Sequence, residues 1–92
     1  MTAGQLKQIK YWTETYGNSG APDQRAVETF MDCENRESIA MLRNELSAVT
    51  KGAVADASLD ALLKANRKQK HGSYPEWAKL MLLWMANYKG YT

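Results

Sequence analysis

The sequence predicts an all-α protein, a compact bundle of about five short helices that form one domain over residues 1–92. Apolar residues recur at three- and four-residue spacing in every predicted segment, which is the pattern of helices that bury one face. A glycine follows four of the five segments, where helices commonly end. No segment alternates polar and apolar residues with the β-branched enrichment of a strand. A chain of 92 residues suits one domain with a modest core.

The first two helices are separated by a predicted loop that follows Gly17. Helix 1 is expected to begin at a capping box over residues 2–5, in which Thr2 and Gln5 satisfy each other's free backbone donors. Helix 2 is expected to begin at Pro22, since proline suits a first helical position. The predicted apolar face of helix 1 consists of Leu6, Ile9, Thr13 and Tyr16, with Trp12 at its edge, and that of helix 2 of Val27, Phe30 and Met31.

A break is predicted near 33–35, between helices 2 and 3. Helix 3 has its apolar positions at Ile39, Leu42, Leu46 and Val49, and the same register extended backward meets only polar residues. One straight helix therefore cannot bury both faces, and Asn35 is the expected N-cap of helix 3. Helix 3 should end at Gly52. Cys33 follows Phe30 by three residues and is expected to be a small buried side chain.

Helix 4 is expected to begin at Asp56 or Ser58, to bury three leucines and to end at Gly72. Helix 5, over about 75–89, follows a Ser73–Glu76 capping box with a proline in its first turn. It should end at Gly90. The buried leucines of helix 4 are Leu59, Leu62 and Leu63.

Helix 5 carries more apolar surface than one buried face requires. A first stripe contains Trp77, Leu80, Met81, Trp84 and Tyr88, and a second contains Ala78, Leu82 and Met85. A helix that is apolar nearly all round is buried on most sides. We expect helix 5 to be the central helix. The alternative is that the second stripe, with Leu82 and Met85, contacts another protein chain or a second copy in a homodimer.

The sequence lacks the residues that most enzymes and metal sites require. One cysteine and one histidine exclude Cys- and His-rich metal sites, and Cys33 and His71 lie on different predicted helices. No phosphate-binding, dinucleotide-binding or nucleophile-elbow motif is present. We therefore expect no enzymatic activity, no cofactor and no bound metal, and we interpret Glu28 and Asp32 as solvated acids.

Basic residues cluster at the end of predicted helix 4, although the whole chain has a formal charge of only +2. Residues 1–46 carry five basic and seven acidic side chains, whereas residues 47–92 carry seven basic and three acidic ones. The cluster is interpreted either as a solvated helix end, favoured by the helix dipole, or as a patch for phosphates and bases. It consists of Lys64, Arg67, Lys68, Lys70 and His71, with Tyr74 following.

The favoured function is a small cytoplasmic protein-binding module: an adaptor, a chaperone or a stoichiometric inhibitor of the kind that phages and mobile elements direct at host machinery. Three tryptophans and five tyrosines support it, because such side chains anchor interfaces. Tyr11 lies opposite the apolar face of helix 1 and should be exposed. The alternative is a nucleic-acid-binding or nucleoprotein-associated protein that uses the basic cluster. The longest apolar run, over 80–86, is too short to span a membrane, so no membrane partner is expected.

Overall fold

Helices account for most of the chain. The computed structural model describes residues 6–17, 20–63 and 65–88, and the side chains of all of these except 65 and 66. No strand occurs among the described residues, and the predicted all-α fold is confirmed. The elements are α1 (Lys7–Trp12), a π-helical turn (Thr13–Gly17), α2 (Asp23–Cys33), α3 (Arg36–Thr50), α4 (Asp56–Leu62), α5 (Ala65–His71) and α6 (Tyr74–Asn87).

The last helix, α6, is central in that three other helices pack against it, as predicted for helix 5, but one of its faces remains open to solvent. It packs against α2, α3 and α5, while α1 lies against α3. The core combines one face of α6 with the buried faces of α1, α2 and α3. Its largest fully buried side chains include Trp12, Phe30, Leu46, Tyr74 and Trp77.

The local signals at the helix ends are largely confirmed. The side chain of Asn35 accepts a hydrogen bond from the Ser38 amide at 2.9 Å, so α3 begins where the broken register placed it. Ser73 accepts one from the Glu76 amide at 3.3 Å. Gly52, with a φ of +72°, follows α3 and adopts the left-handed conformation that favours glycine. The predicted capping box at 2–5 and the helix end at Gly90 lie outside the described residues.

Predicted helix 4 is two helices rather than one. α4 ends at Leu62, and Leu63 has an extended backbone, with a φ of −109° and a ψ of 153°. Apolar periodicity does not reveal this break, because Leu59 and Leu63 are both buried and share one face in either arrangement. The extended residue changes the direction of the chain, and α5 then carries Arg67 into contact with Asp23.

The predictions that Gly17 ends the first helix as a left-handed glycine and that Cys33 is buried are both wrong. The described glycines with positive φ are Gly20, Gly52 and Gly72, so Gly17 does not end its helix in the left-handed conformation. A Cβ at Gly17 would lie 3.0 Å from the Trp12 ring, and glycine is needed there for this close approach. Cys33 is exposed. It is the last residue of α2, at the end of the buried face that Ala26, Val27 and Phe30 form.

The buried carboxylate of Glu45 links α1 to α3 through hydrogen bonds. Glu45 lies within the buried face of α3 and is only 4% exposed. It accepts hydrogen bonds from the backbone amides of Gln8 and Ile9, at 3.0 to 3.1 Å, and so satisfies free donors at the start of α1. Burial raises the pKa of Glu45, and the two amide hydrogen bonds oppose that rise. No motif in the sequence marks this residue.

Candidate binding surface

One face of α6 carries apolar side chains that the core does not enclose. Leu83 is 53% exposed, whereas Leu80 and Trp84 on the same face are half-buried, and Trp84 also packs against the core. Their i, i+3, i+4 spacing places the three side chains next to one another on the helix. We call Leu80, Leu83 and Trp84 the α6 stripe.

The stripe is exposed because the opposite face of α6 fills the core. Trp77, Ala78 and Met81 are fully buried, and Met85 is 1% exposed. The buried face thus lies between the two stripes predicted from the sequence and takes residues from each. Leu80 and Trp84, predicted to be core residues, lie at its margin. A 14-residue helix with so many apolar positions cannot bury them all against neighbours on one side.

The second stripe, suggested as an alternative contact for another chain or a second copy, is not an exposed surface. Met85 and Ala78 belong to the core, and Leu82 is half-buried and packs against it. They leave no continuous second stripe for another chain. Leu83, which belongs to neither predicted stripe, is the large apolar side chain of α6 that is most open to solvent. The excess of apolar residues on this helix was the only sequence signal for it.

A shallow cavity of about 200 Å³ lies where α2 meets the C-terminal end of α6. The side chains of Arg25, Glu28, Thr29, Asp32 and Tyr88 line it. The Tyr88 hydroxyl donates a hydrogen bond of 2.6 Å to an Asp32 carboxylate oxygen. Since Trp84 precedes Tyr88 by one helical turn, the α6 stripe ends beside this cavity.

The basic cluster is not the open patch that the sequence suggested, because Arg67 is turned inward. Arg67 is 8% exposed, and its guanidinium donates hydrogen bonds to the Asp23 carboxylate at 2.9 and 3.1 Å. It also donates to the carbonyl of Gly17 and lies 5.4 Å from the centre of the Trp12 ring. Helical spacing placed Arg67 beside its basic neighbours, but an arginine can satisfy its charge with a buried partner that is distant in the sequence.

Tyr74 also belongs to the interior. It is therefore not available to stack on a nucleic-acid base, as the phosphate- and base-binding interpretation of the cluster requires. It is fully buried, and its hydroxyl donates a short hydrogen bond to Asp60. Burial and that bond raise the pKa of Tyr74 to about 12. Lys68 Nζ lies 2.7 Å from an Asp56 carboxylate oxygen. Lys70 is exposed and His71 half-buried, whereas Lys64 lies outside the described residues.

Tyr11 is exposed, as predicted, but it is not isolated. It is 41% exposed and donates a hydrogen bond of 2.8 Å to Glu34, which also accepts one of 2.7 Å from Tyr16. The rings of Tyr11 and Tyr16 pack edge-on against each other and against Phe30. This cluster joins the N-terminal segment to α2, which gives Tyr11 a structural role.

We also searched the part of the chain that the structure describes for metal sites and membrane-spanning helices. It holds no group of three or more His, Cys, Asp or Glu side chains arranged to bind a metal ion. None of its helices has both the length and the apolar character needed to cross a membrane.

Comparison of the chain with models of protein families, with curated proteins and with solved structures gives no match.

Proposed function

We propose that this chain is a protein-binding module with no chemistry of its own, and that its partner docks on the α6 stripe. The supporting observation is the exposure of Leu83 beside Leu80 and Trp84 on a helix whose other face is filled. Single exposed apolar side chains are ordinary, whereas a contiguous apolar patch of several hundred Å² often marks an interaction site. Their spacing is that of helices that recognise a partner through one apolar face.

The stripe is held rigid before any partner arrives. Trp77, Met81 and Met85 anchor the same helix in the core, so α6 does not have to fold or shift when it binds. A rigid surface avoids most of the ordering cost of association. This favours binding through a small apolar area.

The size of the stripe favours a different protein over a second copy of this chain. Stable interfaces bury about 800 Å² on each partner. Three partly exposed side chains on one helix provide less than that when a flat, identical surface meets them. A partner with a groove or a crossing helix encloses them more completely, as expected for an adaptor, a chaperone or a stoichiometric inhibitor, including one encoded by a phage.

A cytoplasmic site of action fits the one cysteine. Cys33 is exposed and forms no disulfide. Exposed free thiols are typical of reducing compartments.

Nucleic-acid binding has weaker support. Arg67 and Tyr74, two of the groups on which it depended, are engaged inside the fold, and Lys68 is paired with Asp56. We therefore treat nucleic acid as an outcome of the test below.

The test compares two exposed apolar residues of similar exposure. Met41 on α3 is 46% exposed and lies outside the stripe, so Met41→Glu is the matched control for Leu83→Glu. Affinity capture from the source cells should recover a protein with the unaltered chain and with Met41→Glu, and should lose it with Leu83→Glu. Circular dichroism should show both variants folded. Capture that Leu83→Glu leaves unchanged, or recovery of nucleic acid alone, would overturn the proposal.

A further inference from the structure

The cavity beside the α6 stripe has a negatively charged wall. Glu28 and Asp32 lie one turn apart on the outer face of α2, where Arg25 is the cation that shares the cavity. Asp32 accepts its hydrogen bond from a neutral phenol, Tyr88, and Glu28 accepts one of 3.4 Å from the Gln24 amide. Neither carboxylate forms an ion pair with any residue in the described ranges. We call Glu28 and Asp32 the α2 acidic pair.

We infer that the segment that docks on the α6 stripe is a basic amphipathic helix of another protein, with apolar residues on the stripe and lysine or arginine against the α2 acidic pair. This inference rests on the proposed function and adds the chemistry of the partner. An apolar stripe alone does not specify a sequence or a direction of binding. Charged residues at one end of the stripe specify the partner's sequence and its direction of binding, because complementary charges fix the register and exclude partners of the wrong charge.

The dimensions suit such a helix. Leu80 and Tyr88 are eight residues apart, which is about 12 Å along the helix at 1.5 Å per residue. A partner helix of two to three turns therefore covers both the stripe and the cavity. Since one water occupies about 30 Å³ in the liquid, the cavity of about 200 Å³ has room for the end of one long side chain.

Trp84 strengthens the preference for a cation. Trp84 precedes Tyr88, which lines the cavity, by one helical turn. An indole in this position favours a lysine or arginine on the partner, because aromatic faces attract cations. Phosphate, in contrast, meets two carboxylates and one guanidinium, that of Arg25, and this net negative charge disfavours nucleic acid.

The test uses two labelled helical peptides of about 16 residues, or four turns, with the same leucine pattern and either lysine or glutamate on the flanks. Fluorescence anisotropy should show that the chain binds the lysine peptide at least about tenfold more tightly than the glutamate peptide. Glu28→Lys combined with Asp32→Lys should abolish that preference. Added salt should weaken binding of the lysine peptide.

The matched control makes the same change in net charge elsewhere. Glu14 and Glu37 are exposed and lie on other elements, so Glu14→Lys combined with Glu37→Lys should keep the preference for the lysine peptide. Equal loss of preference in both double variants would show a general charge effect and overturn the inference.

The remaining outcomes separate the inference from the proposed function. Equal affinity for both peptides, or no binding of either, overturns the basic partner; the proposed function still stands if Leu83→Glu abolishes cellular capture. Peptide binding that survives Leu83→Glu overturns docking on the stripe. A dimer in light scattering that Leu83→Glu dissociates would show that the occupant is a second copy.

Discussion

Arg67 and Asp23, which are 44 residues apart, form an ion pair that joins α5 to the first turn of α2, with a Nε–Oδ2 distance of 2.9 Å. Both side chains are largely buried, at 9% and 14% exposed. The same carboxylate accepts a hydrogen bond from the Trp77 indole. Three segments of the chain therefore depend on one acidic side chain.

Removal of Asp23 should destabilise the fold strongly. Asp23→Ala leaves the guanidinium of Arg67 and the indole of Trp77 without their acceptor. We expect a loss of about 2–4 kcal/mol, slightly below the usual cost for a fully enclosed pair because Asp23 keeps some contact with water. Lys68→Ala, which breaks an exposed pair, should cost far less, because exposed ion pairs contribute little to stability. Urea unfolding measures both, and equal losses would contradict this account of Arg67.

Gly17 should be intolerant of even one added carbon. The Cβ of Gly17→Ala would lie 3.0 Å from Trp12 Cζ3 and 3.2 Å from Arg67 Nη2. The ring is fixed in the core, so the added group must displace it or the arginine. We expect a loss of about 1–3 kcal/mol, in the range of other overpacked sites. An unchanged free energy of unfolding would show that Trp12 and Arg67 are not held as described.

The two tryptophans of α6 should differ in their contribution to stability. Trp77 is fully buried, and Trp77→Ala should cost about 3–5 kcal/mol. Trp84 is half-buried at the margin of the core, so Trp84→Ala should cost about half as much. Thermal unfolding of the two variants provides the comparison. An equal or larger loss for Trp84 would place it in the core and weaken the stripe.

Glu45 should make the free energy of unfolding depend on pH. Its pKa is raised above the ordinary 4.5 by burial, so in the window above 4.5 the folded state binds the proton more tightly than the unfolded state. The contribution of Glu45 to stability is then largest below that window and falls as pH rises through it.

Glu45→Gln keeps an acceptor oxygen for the Gln8 and Ile9 amides but cannot titrate. Urea unfolding at pH 4 and at pH 7 should show that the unaltered chain loses stability relative to Glu45→Gln as pH rises. Glu45→Ala should lose about 1–3 kcal/mol at either pH, because the two amides are left without an acceptor. Parallel pH profiles for the unaltered chain and Glu45→Gln would contradict the assignment.

Local signals in the sequence were sufficient for the fold class and for several boundaries. Asn35 and Ser73 were recognised because capping depends on a few neighbouring residues. The break at Leu63 was not recognised, because the buried leucines of this segment follow the same apolar spacing whether the helix ends at Leu62 or continues.

The candidate surface was harder to predict than the fold. Helical spacing grouped Arg67 with Lys68 and Lys70, but Arg67 pairs with Asp23, and pairing across 44 residues leaves no periodic signal. The excess apolar surface of α6 was visible in the sequence. Which residues it exposes depends on how α2, α3 and α5 pack around the helix, and Leu83 could not be distinguished from Leu82 before those contacts were known.

Photocrosslinking from position 83 is the most direct test of the central claim. Benzoylphenylalanine replaces Leu83 in one variant and Met41 in a second, and both are expressed and irradiated in the source cells. We expect a discrete protein adduct from position 83 and none of that size from position 41. Adducts of the same kind from both positions, or a nucleic-acid adduct from position 83, would contradict the claim that the α6 stripe is a protein-docking surface.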